Sequence, residues 1–182
     1  MDALKVEIDV REVTTALQGL SPSSMQAAWR RTLRKTATWI RSQTGKEVSR
    51  GTQIPQKVIR SRLYFFMRSA DTGKVWLGLN PVEAHRLGSV RETKKGMRAG
   101  RMTFDGAWRQ TKAKPDGPIY QRTARARTPF ELVTVNWSKT GDPAFRRAAQ
   151  MCEARLMVIL RQEVNYEIQK AIGRAGGIRR AR

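Results

Sequence analysis

A formal charge of +21 on 182 residues constrains this chain more than any single motif in it. Its 36 Lys and Arg outnumber 15 Asp and Glu, and self-repulsion at that density opposes compaction unless a polyanion relieves it. The surplus is uneven. Residues 30–62 and 86–127 each carry +9 and residues 146–182 carry +6, whereas residues 63–85 are neutral, 1–29 sum to −2 and 128–145 to −1. The neutral stretches are also the most strand-like, which predicts a core there with basic helices and a basic loop around it. Nucleic acid is the partner such a surface fits, held electrostatically and in a salt-dependent way.

A hydrophobic share of 40% is enough to bury a core, and the length suits one domain. The single cysteine, Cys152, excludes a disulfide framework and a Cys-based zinc site. The longest apolar run, residues 156–160, falls far short of the ~18 residues of a membrane span, so no membrane partner is expected. The first residues lack the basic-then-apolar order of a signal peptide. The chain is therefore expected to be kept in a reducing, aqueous compartment.

Residues 4–10 alternate apolar and polar, as a half-buried strand does, and Val13, Ala16 and Leu17 follow at helical spacing. Ser21 and Pro22 supply an N-cap and a first helical residue. From there to Ser49, Met25, Ala28, Trp29, Leu33, Ala37, Ile40 and Val48 recur at helical spacing, with Arg30, Arg31, Arg34, Lys35 and Arg41 on the opposite face. A short helical turn is expected from Ile54 to Arg60. Strands are expected at 62–67 and 74–79, joined through Asp71-Thr72-Gly73, and again at 102–104, 107–110, 119–122 and 132–135. Residues 88–101 hold Gly88, Gly96 and Gly100 among Arg91, Lys94, Lys95, Arg98 and Arg101, with almost nothing to bury, which reads as a mobile basic loop. Asp142-Pro143 reads as the start of a second long helix ending at Gly173, with a disordered basic tail over 174–182. The expected fold is α+β: one domain over 1–173, a small and mostly antiparallel sheet with a long helix from each end packed against it.

No catalytic constellation emerges. His85 is the only histidine, the acids are scattered, and Cys152 sits on an apolar helix stripe, where a buried inert thiol is the plainer reading. No phosphate-cradling glycine loop is present, and neither a metal site nor a cofactor is expected. The candidate nucleic-acid contacts are Arg91, Lys94, Lys95, Arg98 and Arg101 on the loop and Arg30, Arg34 and Arg41 on the helix. With no base-reading motif beside them, these cations would hold phosphates without specifying sequence. Trp29 and Trp39 stand about 80° apart around the first helix. Together with Trp108 they are candidates for core or subunit-interface packing.

Three groups of residues resemble the minor tail protein Z family of long-tailed phages. The first is Ala27-Ala28-Trp29-Arg30-Arg31-Thr32-Leu33 leading into residues 54–62. The second is Leu87-Gly88 ahead of the basic glycine-containing segment. The third is Phe104-Asp105-Gly106-Ala107-Trp108, followed by Gly117 and Tyr120-Gln121-Arg122; the family usually has Phe where Trp108 stands. The resemblance implies a non-enzymatic virion protein at the head-proximal end of the tail, assembled in the host cytoplasm and acting on placement of the genome end. Its implied partners are the tail terminator, the tail tube, the head–tail connector and the double-stranded genome end. By analogy with the tail, a six-fold homo-oligomeric ring is expected. Composition alone also fits a cellular, sequence-nonspecific nucleic-acid-binding protein of ribosomal or chromosomal type.

Overall fold

The computed structural model of the chain describes residues 20–69, 72–110, 117–124 and 128–180, with side chains as far as residue 173. The strand expected at 4–10 and the helix near 13–17 lie outside them. The elements run α1 (Pro22–Thr52), α2 (Gln56–Arg60), β1 (Leu63–Met67), β2 (Gly73–Leu77) and β3 (Val82–Glu83). A 3-10 turn (Ala84–Leu87) follows, then β4 (Val90–Thr93), β5 (Gly96–Ala99), β6 (Met102–Asp105), β7 (Trp108–Arg109), β8 (Ile119–Arg122), β9 (Phe130–Leu132), β10 (Thr134–Val135), α3 (Ser138–Gln150) and α4 (Cys152–Arg180). The fold is α+β, with long helices toward both ends and small antiparallel sheets between them.

The described residues gather into two compact units. One holds the described chain up to Arg41, Tyr64–Trp76 and everything from Arg146 on; the other holds Ser42–Leu63 and Leu77–Phe145. In the first, Ala28 of α1 packs with Leu160 and Val164 of α4, and Leu20, Trp29, Met157 and Ile168 close over them. Beside this apolar cluster lies an ionic one. Arg31 donates from Nε to Glu163 at 2.5 Å and from Nη2 to Glu167 at 2.7 Å, and Lys35 also reaches Glu163. Both carboxylates are buried, with side chains 5% and 3% exposed. Burial pushes the Glu163 carboxyl up, but Arg31 and Lys35 outweigh it and hold it below its ordinary value. Arg31 does the same for Glu167 against a smaller burial effect.

The buried positions of α1 explain its length. Ala28, Thr32, Thr36, Ile40, Thr44 and Val48 are all buried and step by four. At 3.6 residues per turn such a row winds by roughly 200° about the axis over its course, so the face buried at Ala28 is not the face buried at Val48.

In the second unit, Gly78 N–H donates to Arg62 C=O at 2.9 Å, Ala84 N–H to Val133 C=O at 2.8 Å and Val133 N–H to Ile119 C=O at 2.9 Å. Val82, Ala84, Ile119 and Val133 are buried. Trp137 is also buried; its indole N–H donates to Asn80 C=O at 3.1 Å. Gly141 leaves room for that ring: a Cβ there would lie 2.6 Å from Trp137 Cε3.

Several expectations are corrected. Residues 88–101 are not a loop: they contain β4 and β5, and β6 completes a three-stranded antiparallel meander. The last helical region begins at Ser138, because the Asn136 side chain accepts from the Ser138 N–H at 3.0 Å and caps it, which leaves Pro143 inside α3. It is also two helices, separated at Met151. Gly173 does not end the second one, and the segment expected as a disordered tail continues as helix to Arg180.

Candidate nucleic-acid interface

The meander is built by alternation. Its register pairs Val90 with Ala99 and Glu92 with Met97 across β4 and β5, then Ala99 with Met102 and Met97 with Phe104 across β5 and β6. Cross-strand partners share a face, so Val90, Glu92, Met97, Ala99, Met102 and Phe104 lie on one side; Val90, Met97 and Ala99 are buried there, and Glu92 is exposed. The other side carries Arg91 directly opposite Arg98, with Thr103 next in the row.

Two glycines make the turns. Gly100 opens the β5–β6 turn with φ +59, a left-handed value that two-residue hairpin turns favour at this position. Gly96 has φ +152, and a Cβ there would lie 2.3 Å from Phe104 O and 2.8 Å from Gly106 N. Both clashes are with backbone and cannot swing away. Gly96→Ala is therefore expected to cost about 2 kcal/mol from clash and strain; a melting temperature unchanged by the substitution would contradict this register.

Lys94 and Lys95 form the turn at one end of the meander and Arg101 the turn at the other. All five cations, Arg91, Lys94, Lys95, Arg98 and Arg101, are exposed. Arg98 Nε donates to Gly100 C=O at 3.2 Å, and no carboxylate among the described residues pairs with any of the five. Like charges directly opposite on a sheet destabilise it, so the Arg91–Arg98 pair is a place where an anion lowers the energy. Lys94, Lys95, Gly106, Trp108 and Arg109 help line a concavity of about 340 Å³ at that end of the meander.

The two parts of the most specific motif meet here. Trp108 pairs with Tyr120 across β7 and β8, Gln121 Nε2 donates to Asp105 C=O at 2.8 Å, and the Gly106 N–H donates to Lys95 C=O at 2.7 Å. Residues 104–108 and 120–122 therefore brace the base of the basic turn.

The helix cations divide differently from expectation. Arg30 and Arg34 are exposed, but Arg41 is half-buried and partnered, and Arg31 and Lys35 belong to the Glu163–Glu167 cluster. A charge count along a helix cannot tell a solvated arginine from one answering a carboxylate 132 residues away. Arg30, Arg34 and Arg41 fall in the first unit and the five meander cations in the second.

Of the three tryptophans singled out, Trp29 packs on the Ala28–Leu160–Val164 cluster, and Trp39 is half-buried. Trp108 packs with Tyr120 and Phe130, at 5.7 and 5.4 Å between ring centroids. Five aromatics face solvent among the described residues: Tyr64, Phe66 and Trp76 on β1 and β2, Phe130 on β9 and Tyr166 on α4. Cys152 is buried, which pushes its thiol pKa up with help from Glu153. Among the described residues no three His, Cys, Asp or Glu gather as metal ligands, and no helix is long and apolar enough to cross a membrane.

No family model, no curated protein and no solved structure matches this chain.

Proposed function

We propose that this chain is a non-enzymatic virion protein of the minor tail protein Z type. In this reading it completes the head-proximal end of a long phage tail and holds the duplex genome end by its phosphates. The observation that carries the reading is the outward face of β4–β6: Arg91 against Arg98, with Lys94, Lys95 and Arg101 at the two ends, on a sheet that buries Val90, Met97 and Ala99 on its opposite face. A short, braced sheet presents cations at fixed spacing and so loses little conformational entropy on binding. Nothing in that row reads base edges, so the cations position DNA without choosing sequence. The tail terminator, tail tube and connector are the protein neighbours this role requires, and a ring of copies is the form in which one such face can surround a duplex.

Localisation in the particle tests it. Antibody-directed gold on purified virions of the parent phage is expected at the head–tail junction, with a few copies per particle by quantitative mass spectrometry. A protein missing from particles and found on bulk cellular nucleic acid would replace this role with the cellular reading, to which the same five cations apply.

A further inference from the structure

The β1–β2 hairpin has two unlike faces, and the outward one has no assigned use. Leu63, Phe65, Met67, Val75 and Leu77 are buried or half-buried. Alternating with them, Tyr64, Phe66, Arg68, Lys74 and Trp76 line an open concavity of about 540 Å³. Tyr64, Phe66 and Trp76 are 46%, 54% and 38% exposed, too much for core residues. Their rings form one platform: Tyr64 lies 6.4 Å from Phe66 at 22° between planes, and 5.7 Å from Trp76 at 39°. The turn end is tightened by Arg68 N–H donating to Thr72 C=O at 2.9 Å.

We propose that this face is a stacking platform for single-stranded nucleic acid, in which unpaired bases lie on Tyr64, Phe66 and Trp76 while Arg68 and Lys74 hold the adjoining phosphates. Flat π-faces beside cations, with no carboxylate among the described residues lining the concavity, match a ligand that is itself flat and anionic, and such stacking tolerates any base. A second copy of the chain fits worse. A symmetric pairing of this face would bring two copies of Arg68 and Lys74 together, on chains of charge +21 each. Duplex DNA fits worse as well, because its base faces are already stacked and opening a step is costly. The inference is independent of the tail reading and uses none of the meander cations.

The test measures binding of fluorescent dT12, an abasic 12-mer with the same phosphates, and a blunt 12-base-pair duplex by anisotropy. Wild type should bind dT12 at least tenfold more tightly than the abasic strand. Tyr64→Ala, Phe66→Ala and Trp76→Ala should each weaken dT12 binding roughly tenfold while changing duplex binding less than twofold. Trp76→Tyr keeps a ring and should keep most of the affinity. These side chains are exposed, and circular dichroism checks that each variant is folded. Equal binding of dT12 and the abasic strand would overturn the proposal. So would equal losses for dT12 and duplex, or a triple alanine variant that loses only self-association in light scattering.

Discussion

Arg31→Met is expected to destabilise the folded chain by about 3 kcal/mol at neutral pH, because it leaves Glu163 and Glu167 buried with Lys35, Lys170 and Ser24 as their remaining described partners. At this chain length that is a fall of about 10 °C in melting temperature. Arg31 is the hub of the cluster: it bonds both carboxylates and lies 5.0 Å from the centroid of the Tyr166 ring. Lys35 and Lys170 stand near one carboxylate each. In the wild type both carboxyls are held below their ordinary value of 4.5. Their contribution is complete above that value and is lost as pH falls below it. Without Arg31, less positive charge opposes burial, so both carboxyls sit higher than in the wild type and the variant has less stability to lose as pH falls. The gap between wild type and variant should therefore be widest near pH 7 and narrow as pH falls through the ordinary carboxylate range in thermal melts. A gap that ignores pH would remove the ionic explanation. Adding Glu163→Gln and Glu167→Gln to Arg31→Met should recover most of the lost stability, since removing both signs of charge costs less than orphaning one.

Neutralising the meander is expected to have the largest effect on ligand binding. Replacing Arg91, Lys94, Lys95, Arg98 and Arg101 with Gln should weaken duplex binding about a hundredfold or more at moderate salt. It should also flatten the plot of log K against log salt by roughly 0.9 for each phosphate no longer neutralised. Folding should not suffer, because the outward face makes no ion pairs among the described residues and the Arg91–Arg98 repulsion is relieved. Unchanged slopes would transfer the duplex to other cations, of which Arg30 and Arg34 are the exposed pair on α1. Melting curves run beside the titrations distinguish weaker binding from unfolding.

The long helices and most strands were legible because their signals are local. Ser21-Pro22 sits at the start of α1 as capping chemistry requires, and the β1, β2, β6 and β8 segments fall within a residue or two of where strand-prone runs between turn residues put them. The basic meander was hidden by its own charge. Only Val90, Met97 and Ala99 face inward from β4 and β5 as buried apolar residues, and in a run so rich in Arg, Lys and Gly that period of two is easily missed. Asp142-Pro143 misled for a different reason: it is sound start chemistry, but Asn136 caps the helix a turn and a half earlier. The hairpin aromatics lay beyond reach because both faces of β1 are apolar in sequence. Nothing in Leu63-Tyr64-Phe65-Phe66-Met67 says which alternate residues meet solvent. Likewise, the engagement of Arg31 and Lys35 rests on ion pairs made across more than a hundred residues of chain.

The strict two-residue alternation of the meander makes it forgiving of substitutions and intolerant of changes in length. Arg91 and Arg98 can vary in size or charge with no consequence for Val90, Met97 or Ala99, since the two sets never share a face. Descendants of this chain can thus retune their grip on a polyanion by point changes alone. Inserting or deleting one residue within β5 is another matter: it exchanges the faces of everything beyond it. Cations would turn toward the packed side, and methionine and alanine would turn toward water. Across diverging copies of this segment, variation should therefore accumulate as replacements at alternate positions, while the count of residues between Val90 and Met102 stays fixed.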